Sequence, residues 1–309
     1  MSETNNHFTA AYLNLLESGE LENRTNLAYE HLKDCDLCAR YCHINRLETT
    51  KGAVCRTGEK AVVHSFGPHH GEEDPLRGIH GSGAIFFSWC NLRCVYCQNW
   101  DISHKGLGRE VEIEELANMM LALQAQGCHN INFVSPSHVV AQIIAAINHA
   151  AQNGLTIPLV YNTGGYDSPE ALALLDGIID IYMPDMKYGD STNARKFSKV
   201  RNYFEVNKAA VLEMHRQVSD LKIDGQGIAM RGLLVRHLVL PENIASTDKV
   251  LKFIATEISK NTYINIMDQY HPCYRADEYP VLDRLITYEE YHSALAQAKI
   301  YGLKRLDHR

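Results

Sequence analysis

The sequence predicts an α/β fold: an open, partial β/α barrel of TIM type with about six strands, preceded by a small cysteine-rich, metal-binding cap. Three observations predict it. From residue 83 onward, short apolar runs alternate with segments of helical period, the mark of repeated βα units. The units number about six, fewer than the eight that close a TIM barrel. Residues 1 to 80 differ in character, carrying four cysteines and a stretch rich in Gly, His and Pro. The division expected is therefore a cap over 1–80 and a barrel over 81–309.

Taken in order, "FTAAYLNLLESG" reads as a helix leading into Cys35, Cys38, Cys42 and Cys55, and "SFGPHHGEEDPLRGIHGSG" reads as a loop. The strands expected are "GAIFFSW", "NINFVSP", "PLVYNT", "DIYMPDMK", "GLLVRHLVLP" and "YINIMDQY". Each is rich in β-branched or aromatic residues and bounded by Gly, Pro, Asn or Asp. Between the first two, Ile113, Leu116, Met120 and Leu123 recur at helical spacing and Gly127 stands where a helix ends. Val139, Ile143 and Ile147 repeat the pattern up to Gly154. A further helix from Ser246 to Ser259 is expected to start on capping side chains of "STD" and to bury Val250, Phe253 and Ile254.

Composition excludes several classes. The chain has 309 residues, 45% of them hydrophobic, enough for a sizeable core and against disorder. Lys plus Arg number 30 against 37 for Asp plus Glu, a formal charge of -7, which offers no general attraction to nucleic acid or to an anionic membrane. "MSETNNHFTA" lacks the cationic and apolar regions of a secretory signal, and no apolar run reaches bilayer length. The expectation is a cytoplasmic protein that binds neither nucleic acid nor membrane. Nine cysteines in such a compartment read as metal or redox ligands rather than disulfides. Seven are clustered, and Cys128 and Cys273 stand alone.

The stretch "WCNLRCVYCQNW" places Cys90, Cys94 and Cys97 at the end of the first strand, on the face where barrel enzymes gather function. Structural zinc takes four protein ligands, and the loop shows no fourth. An electron-transfer 4Fe-4S cluster has one thiolate per iron, so three thiolates leave one iron open. Cys128 precedes the second strand and lies roughly 17 to 20 Å away at the other end of the barrel. Cys273 follows the sixth strand at the correct end and stays open as a fourth ligand. With it, the alternative is an iron-sulfur electron carrier or a zinc scaffold.

Charge is also expected inside the barrel. Met183, Asp185 and Lys187 alternate onto one side of the fourth strand. Arg236 interrupts an apolar fifth strand, and a buried charge demands a partner. An Asp185–Lys187 pair with Arg236 snorkelling outward is the bland arrangement. Asn162, Asn265 and Gln269 add polar groups near strand ends. The four N-terminal cysteines, spaced C-x2-C-x3-C-x12-C, suit either zinc or an auxiliary 4Fe-4S cluster. His69, His70 and His80 read as solvated loop residues, whereas His271 and Cys273 stand near the expected pocket.

"CNLRCVYC" resembles the C-x3-C-x2-aromatic-C signature of the radical S-adenosylmethionine (SAM) superfamily. "YNTGGYDS", "YMPDMKYGD", "RGLLVRHLVLP" and "NIMDQYHP" resemble the branch related to pyruvate formate-lyase activating enzymes. The resemblance implies an oxidoreductase in which a 4Fe-4S cluster on Cys90, Cys94 and Cys97 binds SAM and cleaves it to a 5′-deoxyadenosyl radical that takes a substrate hydrogen. It also implies a reducing partner such as flavodoxin or ferredoxin. For an activase the substrate is a glycine in a partner protein, with a peptide or small molecule as the alternative. By the same resemblance, Asp185 and Lys187 match the Asp-x-Lys motif, Arg236 a cofactor contact and Tyr96 the aromatic beside adenine. Asn162 answers the demand for polar groups at the ribose. One departure stands out: the activases' Gly-Gly-Glu after the second strand is "VSPSH" here. Ser135, Ser137 and His138 offer polar contacts without the glutamate's charge, and either serine has helix capping as its alternative role.

Overall fold

A computed structural model describes residues 8–307 of the chain. Among the described residues nine strands form one sheet: β1 Ala61–His69, β2 Ser82–Phe87, β3 Arg109–Val111, β4 Ile131–Val134, β5 Leu159–Thr163, β6 Ile181–Pro184, β7 Lys222–Ile223, β8 Ala229–Leu238 and β9 Tyr263–Met267. The order runs β3-β1-β2-β4-β5-β6-β8, with β7 and β9 both paired to β8. The six expected strands are β2, β4, β5, β6, β8 and β9, and each pairs parallel with the next. Among the described residues no pairing joins β9 back to β1 or β3, so the barrel is open.

Alternation along the strands sorts the two faces. Ile131, Phe133, Leu159 and Tyr161 pack with Ile143 and Ile147 of the helix Val140–Gln152 in the outer core. Asn132, Val134, Val160 and Asn162 are one residue out of step and face the lumen. Val160, Ile181, Met183 and Leu234 form an apolar layer low in that lumen, which Leu76 closes from the N-terminal end of the strands. Leu76 is fully buried, a burial that contributes roughly 1.5–3 kcal/mol. The expected crossover helix spans Ile113–Ala125, and Gly127 follows it with φ +86°.

Three expectations need correction. The stretch read as a loop contains most of β1, which pairs antiparallel with β2 from Val63 to His69. Gly67 and Pro68 disguise it. The three-residue β3 covers only Ala61–Val63, so the rest of β1 is a sheet edge, where proline is tolerated. The expected N-terminal helix is present as Ala11–Glu17, but it does not lead directly into the cysteines: after Gly19, φ +75°, a second helix, Glu20–Lys33, intervenes. Ser246 does not cap the helix Thr247–Phe253: it lies in the left-handed region and makes no capping bond. The oxygen is supplied by Asn243, whose Oδ1 accepts the Thr247 N–H at 3.0 Å.

Candidate active site

Cys90, Cys94 and Cys97 lie in the loop after β2, above the lumen, and border one cavity of about 240 Å³. Each sulfur meets a polar group at hydrogen-bonding distance: the Leu92 N–H donates to Cys90 Sγ at 3.3 Å, Ser198 Oγ stands 3.0 Å from Cys94 Sγ, and Ser103 Oγ stands 3.1 Å from Cys97 Sγ. Burial pushes the thiols up, Cys90 to about 12, Cys97 to about 11 and Cys94 also above its ordinary value. A bound metal would hold them as thiolates. The loop is fastened from outside: Asn91 Nδ2 donates to Tyr166 O at 2.8 Å, and Arg93 Nη2 donates to Val54 O at 2.7 Å.

Charged groups form the floor of the cavity. Lys187 Nζ donates to Asp185 Oδ2 at 2.6 Å, Arg236 Nε donates to Asp185 Oδ1 at 2.9 Å, and Arg236 Nη2 donates to Asn162 Oδ1 at 2.7 Å. Burial works to raise the Asp185 carboxyl, but Arg236 and Lys187 outweigh it and hold the group below the usual carboxylate range. Burial likewise opposes the charge on Lys187 and Arg236, and nearby anions, Asp185 above all, reverse the outcome. Arg236 therefore does not snorkel outward: it turns into the lumen, where Asp185 neutralises it. The sheet sets this geometry. Asp185 bridges to Arg236 just beyond β6, and its N–H donates to Thr163 O at 2.8 Å. Gly165, φ +73°, lets the adjoining turn approach; a Cβ there would collide with Asp185 O and Asn207 Nδ2.

Tyr96 and Ser135 also line the cavity. The Tyr96 hydroxyl donates to Tyr188 at 2.6 Å, and Tyr188 stands 2.7 Å from Ser198, so one hydroxyl chain ties the aromatic to Cys94's polar partner. Ser135 has φ +62°, a conformation uncommon outside glycine. Ser137 bonds Thr163 at 2.8 Å and His138 reaches Ser88 O at 2.9 Å. Neither serine caps the helix Val140–Gln152, whose N-cap, Val139, makes no side-chain bond. His271 and Cys273 are not among the lining residues, although His271 Nδ1 lies 3.2 Å from Gln98 Nε2 at the rim. Asn265, in register with Arg236, is not among the lining residues and donates to Glu73, whereas Gln269 lines the cavity. His69 and His80 lie at the opposite end of the barrel, beside the start of β2 and against His129.

Several groups escaped the reading of the sequence. Glu72 and Glu73, from the segment after β1, are buried beneath the floor. Glu72 Oε2 stands 4.0 Å from Arg236 Nη1, and Asn265 Nδ2 donates to Glu73 Oε1 at 3.0 Å. Burial, then Glu73, drives the Glu72 carboxyl up to about 8. Leu92, Ser103, His104, Leu238 and Met267 complete the walls. Leu92 sits inside the cysteine motif and Leu238 and Met267 inside two of the expected strands, where apolar character did not set them apart from core residues; Glu72, Glu73, Ser103 and His104 lie outside those motifs.

Among the N-terminal cysteines, Cys35, Cys38 and Cys55 are buried and Cys42 half-buried. Arg46, 2% exposed, donates to Thr57 O at 2.7 Å and His138 O at 2.8 Å, with Nη1 3.5 Å from Cys35 Sγ. A guanidinium buried among thiols and carbonyls suits an anionic thiolate set. Among the described residues no three His, Cys, Asp or Glu side chains are arranged for a single metal ion. The fit of Cys90, Cys94 and Cys97 to a polynuclear cluster rests on donor chemistry: three soft ligands, a polar group at each sulfur, and a lysine nearby.

A family model described as the radical SAM superfamily matches residues 84–254. That span holds the three thiols, Asp185, Lys187 and Arg236 and leaves out the N-terminal cysteines. An uncharacterized protein of Methanocaldococcus jannaschii, MJ0674, is 33% identical over 293 residues, which is 92% of this chain and 79% of that protein. A second from the same organism, MJ0808, is 25% identical over 280 residues, 83% of this chain and 77% of that one. A solved structure of TYW1 with a lysine-pyruvate adduct bound matches with a TM-score of 0.44 at 13% identity, covering 71% of this chain and 72% of that chain.

Proposed function

The chain belongs to the radical SAM superfamily, and we propose that Cys90, Cys94 and Cys97 hold its 4Fe-4S cluster while the charged floor beneath them receives SAM. The carrying observation is the stacking of three thiols, each beside a polar group, over the Lys187–Asp185–Arg236 array in one cavity. When bound, a 4Fe-4S cluster with SAM supplies one-electron cleavage of the sulfonium and a radical that removes a substrate hydrogen.

The chain's own residues bind, orient and shield. Lys187 and Arg236 offer cationic donors to a carboxylate, and their shared partner Asp185 keeps both in place. Asp185 and Asn162 meet ribose hydroxyls, Ser135 adds a polar contact at the end of β4, and Tyr96 flanks the adenine. Leu92, Leu238 and Met267 give apolar walls that limit water. The segment before β1 acts as a cap in which Cys35, Cys38, Cys42 and Cys55 hold an auxiliary 4Fe-4S cluster, or zinc once their thiols draw together, with Arg46 balancing their charge. The likeness of "YMPDMKYGD" to the activases favours a glycine of a partner protein as the hydrogen donor, and flavodoxin or ferredoxin as the source of electrons.

Anaerobic reconstitution, metal and sulfide analysis, and incubation with dithionite and SAM test the reading. The wild type should release 5′-deoxyadenosine, and Cys90→Ala, Cys94→Ala and Cys97→Ala should not. A fully loaded protein that leaves SAM intact would refute it. A glycyl-radical signal in a co-incubated partner supports the activase role, whereas a modified peptide or small molecule as sole product removes it.

A further inference from the structure

A second depression, of about 660 Å³, opens where the N-terminal cysteine segment meets the Cys90–Cys97 loop. Arg40, Lys51, Arg56, Arg93 and Lys199 line it, and no carboxylate does. Among the described residues none of the five forms an ion pair, although acidic residues outnumber basic ones along the chain, 37 to 30. Their contacts are neutral. Arg40 donates to Asn91 O at 2.6 Å and Lys199 O at 2.7 Å, Arg93 donates to Val54 O at 2.7 Å, and Arg56 lies 5.1 Å over the Trp89 ring. These partners orient the cations without neutralising them, so the five repel one another until an anionic surface arrives.

We propose that this depression docks an acidic one-electron carrier protein. Its position carries the assignment. Arg93 stands between Cys90 and Cys94 in sequence, Val54 precedes Cys55, and Arg40 follows Cys38 by two residues, so a partner seated here touches the backbone of both cysteine sets. Arg40 Nε and Nη1 and both Nη groups of Arg93 are already turned to carbonyls, and Arg40 Nη2 is buried away from the surface, which leaves a field for an extended acidic face rather than a tight bidentate cradle for one small anion. The inference rests on the reading of Cys90, Cys94 and Cys97 as a cluster site, since that cluster is what takes the electron from the partner's reduced cofactor.

The test uses the anaerobic full-length holoprotein, a flavodoxin as the probe, and the double variant Lys51→Glu/Arg56→Glu, which alters two exposed side chains outside the SAM cavity. Binding followed by titration should weaken at least tenfold in the variant, and also in the wild type on going from low to high salt. SAM cleavage driven by dithionite should stay unchanged while cleavage driven by reduced flavodoxin falls. Equal flavodoxin affinity in wild type and variant overturns the proposal. So does an RNA oligonucleotide or inorganic phosphate that binds this surface more tightly than flavodoxin and is lost in the variant. A wild type inert with dithionite sinks the cluster reading instead, and the binding comparison still judges the docking surface.

Discussion

Glu72→Gln isolates the carboxyl beneath the site floor. In the native protein, burial and the adjacent Glu73 lift Glu72 from an ordinary 4.5 to about 8. Across that window the folded chain keeps a proton that the unfolded chain has released, so stability falls as pH rises and levels off above the folded value. At about 1.4 kcal/mol per unit, a shift of this size sets a ceiling near 4 kcal/mol for the loss between pH 5 and pH 8.5. Glutamine has the shape of the protonated acid and does not titrate. Urea unfolding followed by circular dichroism should therefore show variant and wild type closely matched near pH 5. The variant should gain roughly 3 kcal/mol on the wild type by pH 8.5. A stability difference that stays constant across this range, within about 0.5 kcal/mol, would refute the buried, protonated Glu72.

Asp185→Asn removes the charge between two half-buried cations and should destabilise the fold by up to about 3–5 kcal/mol while abolishing SAM-dependent cleavage; a variant as stable and active as wild type would contradict the floor described here. Because Arg236 and Lys187 hold Asp185 below 3.8, its contribution in the wild type is present above that pH and lost on acidification through the folded value. Gly165→Ala forces a positive φ on an L-residue and drives Cβ into Asp185 O and Asn207. The expected cost is about 2–4 kcal/mol in denaturant unfolding, and a loss under about 0.5 kcal/mol would show that the turn has room to yield.

The parallel strands were legible because each is buried on both faces and reads as a short apolar run, and the thiol triplet was legible because its ligands are contiguous in sequence. Asp185, Lys187 and Arg236 announced themselves as charges inside otherwise apolar strands. What escaped has a common cause. Glu73 meets Asn265 across 192 residues, and the cationic depression gathers four chain segments. Such contacts leave no local periodicity. β1 escaped for a different reason: Gly67 and Pro68 carry turn chemistry, and the edge of the sheet tolerated it. Ser246 misled because a good capping residue was placed in a left-handed turn while Asn243 supplied the oxygen.

The buried charges of the floor make little sense as a stability device. Taking Lys187, Asp185 and Arg236 out of water costs several kcal/mol per ion before their attraction offsets it, and well-packed apolar side chains of similar volume would often serve the fold as well. One layer lower the same lumen is filled in that apolar way, by Val160, Ile181, Met183 and Leu234. The change from apolar to ionic packing occurs over a single step along β6 and β8, at the level where the cavity begins. There the side chains are held by sheet register, through the Asp185–Arg236 bridge and the Asp185 N–H to Thr163 O bond, rather than by flexible loops. A charge array that is costly, fully paired and fixed by strands suits preorganised binding of a polar, charged ligand. Directly above it stand the three thiols.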